Sequence, residues 1–244
     1  MTFDISPVLL FVYNRPWHTK QTVEALLKNE LAEESDLIVF SDGVKTDDRR
    51  QTTDDRVKEV REYIRTIKGF KSVRIIEREK NLGLANSIIS GVTEVVNEYG
   101  RIIVLEDDMV TSPYFLKYMN EALDLYEKEP KVISIHGYVY PISGLPETFF
   151  LKGADCWGWA TWRRGWKLFE PDGQSLLNEL KKKNLLNRFD FEGAYPYTKM
   201  LKNQIKREND SWAIRWYASA LVNDKLTLYP GKSLVNNIGN DGTG

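Results

Sequence analysis

The sequence predicts an α/β fold, a mainly parallel sheet flanked by helices and followed by a less regular second half. Strand-like and helix-like segments alternate through the first 110 residues, the pattern of βαβ units. The strand-like runs are apolar along their whole length, which suits strands covered on both faces. With 244 residues, 42% hydrophobic and 28% charged, the chain can bury a full core without staples.

Val8–Val12 is the first apolar run. Arg15-Pro16 then opens a helix with Val23, Leu26, Leu27 and Leu31 on its apolar side, proline being tolerated where first-turn amides have no partner. Leu37–Phe40 is a second strand ending at Ser41-Asp42-Gly43, and Val57, Val60, Ile64 and Ile67 mark a helix by their spacing. Val73–Ile76 follows as a strand. A helix carrying Ala85, Ile88, Ile89, Val92, Val95 and Val96 runs to Gly100, ahead of the strand Arg101–Leu105. Ser112 as N-cap and Pro113 as first residue start another helix, and Val132–His136 is a further strand. Beyond about Tyr140 the alternation fades, and four of the seven tryptophans fall within Trp157–Trp166. Helices are expected around Leu176–Leu186, Tyr197–Ile205 and Ser211–Val222.

Lys and Arg number 34 against 35 Asp and Glu, a net charge of −1, which argues against nucleic acid as the main partner. A single cysteine, Cys156, excludes an internal disulfide. The opening residues show no basic segment leading into an apolar one, and runs such as Val8–Tyr13 are too short to span a bilayer. A cytoplasmic protein is expected. The basic run Lys181–Lys183 suits a solvated helix face or peripheral contact with an anionic membrane at its inner side.

Glu106-Asp107-Asp108 follows a buried strand, where three adjacent acids repel unless a cation or donors compensate. Mg²⁺ or Mn²⁺ is held this way, by one or two carboxylates plus substrate phosphates; a solvated acidic turn is the plain alternative. Continued strand geometry would point Glu106 and Asp108 to one side and Asp107 to the other. Ser41-Asp42-Gly43 is either a turn or a carboxylate offered to a nucleoside. Asn81-Leu82-Gly83 is either a simple helix start or a place where amides face phosphate. Asp210 is an N-cap or a general base. Trp157, Gly158 and Trp159 offer stacking faces for sugars or fill the core.

In this order, the motifs resemble the GT-A glycosyltransferases, and among them the N-acetylglucosaminyltransferase I type family and its bacterial relatives. The most specific piece is Ile103-Val-Leu-Glu-Asp-Asp-Met-Val-Thr-Ser-Pro-Tyr-Phe-Leu-Lys-Tyr. Pro7–Pro16, Ser41–Gly43, the Asn81 region, Asp155–Trp162, Asp210–Trp212 and Leu228–Thr243 extend it over most of the chain. The resemblance implies one GT-A domain over residues 1–244, with 1–110 binding the nucleotide sugar and 111–244 the acceptor, and relatives continue beyond Gly244. It implies Asp108 as ligand of Mn²⁺ or Mg²⁺. Asn14, Arg15, Asp42, Gly43, Asn81, Gly83, Glu106 and Asp107 fall on the donor side, Trp157, Gly158 and Trp159 on the acceptor side, and Asp210 is the general base. The implied reaction is inverting transfer from a nucleotide diphosphate sugar, a UDP-sugar by preference, to a glycan or lipid-linked glycan. The residues alone leave two rivals, a Mg²⁺-dependent phosphatase or nucleotidyltransferase and a non-catalytic carbohydrate-binding module.

Overall fold

The structure, a computed structural model, describes residues 4–45 and 51–242. Along the chain run β1 (Val8–Val12), α1 (Pro16–Leu26), β2 (Asp36–Ser41), α2 (Gln51–Ile64), β3 (Ser72–Glu77), α3 (Leu84–Tyr99), β4 (Arg101–Glu106) and β5 (Met109–Thr111). Then come α4 (Phe115–Leu125), β6 (Val132–His136), β7 (Thr148–Lys152), β8 (Trp159–Trp162), α5 (Arg163–Trp166) and α6 (Gly173–Lys182). The chain closes with α7 (Leu186–Phe189), α8 (Tyr197–Ile205), α9 (Trp212–Val222), β9 (Leu226–Pro230) and β10 (Val235–Asn237).

Eight strands form one sheet in the order β3-β2-β1-β4-β8-β6-β9-β7, and β10 pairs with β5 in a separate two-stranded ribbon. The first four strands are parallel throughout. Beyond β4 the sheet is mixed: β8 runs antiparallel to both β4 and β6, β6 and β9 are parallel, and β7 closes the edge antiparallel to β9.

The uniform apolarity of the first strands is explained by packing on both faces. In β1, Val8, Leu10 and Val12 enter one core, while Leu9 and Phe11 enter the other; Ile103 and Leu105 against Ile102 and Val104 divide β4 in the same way. A third cluster, built on Leu176, Leu180, Phe189, Leu201 and Ile214, joins helices α6 to α9. Helix α4 starts at Phe115 rather than Pro113, because Ser112 Oγ and its carbonyl take the Tyr114 and Phe115 amides in a preceding turn. Helix α9 is capped by Ser211, whose hydroxyl accepts from the Ile214 amide, so Asp210 is left outside the cap.

The order of strand addition switches side at β1, since β2 and β3 are added on one side of it and β4 on the other, all parallel. Loops leaving the carboxyl ends of β1 and β4 therefore diverge and open a crevice, the usual ligand position in such sheets. Asn14-Arg15 and Glu106-Asp107-Asp108 occupy those two loops.

Candidate active site

Strand geometry ends at Glu106. Asp107 and Asp108 lie in the turn before β5, so they converge instead of pointing to opposite sides. Arg15 Nη1 donates to Asp108 Oδ2 at 2.9 Å and reaches Asp107 Oδ1 at 3.4 Å. The arginine is itself held by helix geometry, its carbonyl accepting from the Thr19 amide and hydroxyl at 2.9 Å each. Thr22 Oγ, one turn further on, donates to the Asp107 carbonyl at 2.8 Å.

Charge in this turn is under-compensated. Burial, then the charges of Asp108 and Asp107, push the Glu106 carboxyl up to about 8, against the pull of a hydrogen bond from the Trp212 side chain and of Arg15. Burial likewise raises Asp107 to about 7, with Arg15 opposing and Asp108 adding to the rise. Asp108 Oδ1 is buried without a hydrogen-bond partner, and so are Nε and Nη2 of Arg15. A bare carboxylate oxygen thus sits beside bare guanidinium donors. The first suits a cation and the second an anion, the two halves of a metal diphosphate. Among the described residues no group of three or more His, Cys, Asp or Glu side chains could hold a metal.

The segment after β10 closes over these acids. Ile238 donates its amide to the Asp108 carbonyl at 3.0 Å, and His18 Nε2 lies 3.0 Å from Asp241 Oδ2. Gly239 passes so close that a Cβ there would overlap Asp108 Oδ2 and press on Arg15 Nη2.

Asp42, buried at the end of β2, is engaged by backbone. Its carboxylate accepts from the amides of Gly43, Leu82 and Gly83 at 3.0–3.1 Å. Asn81 ties the same loops together, its Nδ2 donating to the Gly43 carbonyl at 2.7 Å and its Oδ1 accepting from Gly83. Gly43 must be glycine, since a Cβ would run into the backbone of Lys80 and Asn81. Asp42, Gly43, Asn81 and Gly83 thus form one rigid clasp between β2 and the start of α3. Asp42 positions the wall of the crevice, with most of its acceptor capacity already taken. Asn14 is partly exposed in the loop that follows β1.

Across the crevice, Asp210 has a side chain 63% exposed, 3.6 Å from Arg215 Nη2. A Cβ on Gly83 would stand 3.9 Å from its Oδ2, which places the second carboxylate oxygen against the clasp. The tryptophan motif divides. Trp159 is only 1% exposed and packed by Trp166, Trp212 and Trp216, so no ring face is left for a sugar. Gly158 is also buried, where a Cβ would meet Val235. Trp157 is half-buried, with Tyr138 set edge-on to its ring at 4.8 Å.

Residues 8–190 match the family model described as glycosyl transferase family 2, three quarters of the chain. The chain belongs to that family. Membership favours sugar transfer over the phosphatase, nucleotidyltransferase and carbohydrate-binding readings. The match covers the clasp and the acid turn, whereas Asp210 and the Ile238–Asp241 segment lie beyond it. No curated protein matches the chain. Solved structures similar to it include S. aureus TarS residues 1–349, at 13% identity over 73% of this chain and 49% of that one, with a TM-score of 0.40. GalNAc-T7, crystallised with UDP, GalNAc and Mn²⁺, gives 14% identity over 68% of this chain and 36% of that one, with a TM-score of 0.44. A cytidylyltransferase from Leptospira borgpetersenii gives 12% over 67% and 63%, with a TM-score of 0.39. The chain thus spans less than two thirds of each of these proteins. No helix among the described residues is long and apolar enough to cross a membrane.

Three contributors to this site were not legible in the sequence. Trp212 bonds Glu106, and Gly239 lies against Asp108. Arg61 braces the clasp from α2, donating to Ser41 Oγ and to the carbonyls of Asp42 and Arg78. Gly239-Asn240-Asp241-Gly242 carried a usable signal as a polar glycine turn, but an arginine on a helix face carries none.

Proposed function

We propose that this family 2 glycosyltransferase moves a sugar from a nucleotide diphosphate sugar, a UDP-sugar by preference, to a hydroxyl of a glycan or lipid-linked glycan, with inversion and with a divalent cation. The supporting observation is the bare Asp108 Oδ1 beside the bare Nε and Nη2 of Arg15. A Mn²⁺ or Mg²⁺ ion bound there supplies positive charge against the leaving diphosphate.

Asp108 holds the cation, and Arg15 offers its unused donors to the diphosphate. The clasp of Asp42, Gly43, Asn81 and Gly83, with Asn14 in the loop after β1, shapes the nucleotide pocket. Glu106 and Asp107 face the donor ribose and sugar. Asp210, open to solvent at the edge of the clasp, takes the proton from the acceptor hydroxyl, and a base opposite the leaving group gives inversion. Trp157 lies on the acceptor side. The narrower kinship with the N-acetylglucosaminyltransferase I type and a hexosyl or N-acetylhexosaminyl specificity belong to this proposal. So does a cytoplasmic role in surface polysaccharide assembly, with peripheral contact at the inner face of the membrane.

The test is thermal stability of the wild type and Asp108→Ala against UDP, GDP, CDP and dTDP, each with and without Mn²⁺. A ligand that binds only the folded state raises Tm with occupancy. One nucleotide should give a Mn²⁺-dependent rise that the variant loses. A rise of equal size in Asp108→Ala would refute the metal assignment.

A further inference from the structure

Beside the acid turn lies an open aromatic cleft that none of the assigned donor residues uses. Its floor is Asp155-Cys156-Trp157, between β7 and β8. Cys156 links it to the donor side, because it packs against the core cluster that holds Phe11 of β1 and Val104 of β4.

One wall rises from the end of β6. Tyr138 stands edge-on to Trp157, and Tyr140 edge-on to Tyr138 at 5.4 Å. Exposure climbs along this ladder, from half-buried Trp157 and Tyr138 to Tyr140 at 67%. The opposite wall is the segment between α7 and α8. There Tyr195 is 53% exposed and packs on Tyr197 at 4.5 Å, with Phe191 also open to solvent. Phe191 and Glu192 hold φ of +48° and +57°, a left-handed backbone that such residues rarely adopt. Gly153, two residues ahead of Asp155, lies directly against the Tyr217 ring, which packs on Phe191 and Tyr197, so this segment borders the floor from its other side.

Asp155 is fixed between these walls. Its Oδ1 accepts from the Cys156 amide at 2.8 Å, and its Oδ2 lies 3.6 Å from Nε2 of the buried His136. The rest of the carboxylate is half-exposed into the cleft.

Flat aromatic faces stack on the C–H face of a pyranose, and a fixed carboxylate accepts from two neighbouring hydroxyls at once. Scattered exposed aromatics are ordinary; exposed aromatics gathered on both sides of an oriented acid are not. The geometry points to a subsite for a neutral pyranose unit of the acceptor, stacked between Tyr140 and Tyr195 with two hydroxyls on Asp155. This rests on the glycosyltransferase reading and names its acceptor contacts. Tyr138 and Tyr140 also line a groove of about 660 Å³, closed on its other side by Gly231–Asn236, with room for further sugar units.

Saturation-transfer NMR with methyl pyranosides of the gluco, galacto and manno series tests this directly. Saturating aromatic protein resonances should transfer signal to at least one glycoside. Its Kd should rise tenfold or more in Asp155→Asn and in Tyr140→Ala, and saturating UDP with Mn²⁺ should leave it bound. Asp155→Asn keeps an oxygen for the Cys156 amide, and Tyr140 is largely solvent-exposed, so both variants should retain the wild-type circular dichroism. Absence of transfer to every glycoside, unchanged affinity in both variants, or displacement by UDP would overturn the subsite. Failure of UDP with Mn²⁺ to bind would instead refute the donor reading, through a separate readout.

Discussion

Glu106→Gln should stabilise the metal-free protein at high pH and leave it nearly unchanged at low pH. Burial and the neighbouring acids raise Glu106 to about 8 from an ordinary value of 4.5. A carboxyl raised on folding makes the folded state hold its proton more tightly than the unfolded chain. Stability is then full below the unfolded value and is lost as pH climbs through the folded one. Each tenfold gain in proton affinity is worth about 1.4 kcal/mol, so roughly 4 kcal/mol separates about pH 5 from about pH 8.5 for this group. Glu106 keeps some accessible surface, and screening by water moves the figure toward ~2 kcal/mol. Glutamine carries no charge at any pH and keeps an oxygen for the Trp212 hydrogen bond. Urea unfolding in EDTA at the two pH values measures the effect directly. The variant should gain about 2–4 kcal/mol over wild type at the higher pH and less than about 1 kcal/mol at the lower. Saturating Mn²⁺ should shrink the gap by supplying the missing charge. Parallel pH profiles in EDTA would refute the view that uncompensated charge is stored in this turn.

Asp42→Asn replaces one accepting oxygen by a donor facing the Leu82 and Gly83 amides; unfolding should show a loss of about 1–3 kcal/mol, with weaker nucleotide binding. Gly239→Ala drives a methyl into Asp108 Oδ2 and should lift the Ile238–Asp241 segment, cutting Mn²⁺-dependent nucleotide affinity by about tenfold in calorimetry. Asp210→Asn should lower turnover of the nucleotide sugar by ~10²–10⁴ while its Mn²⁺-dependent binding persists, a split that separates a base from a binding residue.

The part of the chain before Tyr140 was legible because its information is local. β1 and β6 fall on the residues read from the sequence, and the edges of β2, β3 and β4 shift by a residue, since runs apolar on both faces admit little else. Beyond Tyr140 the sheet is mixed, and strands β7 to β10 went unread. The sequence Trp-Ala-Thr-Trp of β8 has no clean alternation, because the strand is covered on both faces between β4 and β6 and its one hydroxyl, Thr161 Oγ, donates to the Ile133 carbonyl. That central position decides Trp159. An indole next to a glycine reads identically whether it meets a sugar or three other tryptophans, and only the pairing of β8 with β4 sends it inward.

The site divides along the same line. Residues carrying formal charge announced themselves, and Arg15, Glu106, Asp107 and Asp108 do meet in one crevice. What the sequence hid is how each charge is answered. Asp42 is spent on amides, which every residue owns and no sequence motif displays. Glu106 is answered by an indole 106 residues away, and Asp108 by an arginine 93 residues upstream that covers one of its oxygens and leaves the other bare. Partners at such separations depend on sheet topology. The same holds for Asp155, which local sequence presents as one more loop acid. Only the return of the Tyr138–Tyr140 and Phe191–Tyr197 segments to its two sides, through Trp157 and Tyr217, sets that acid among aromatic rings.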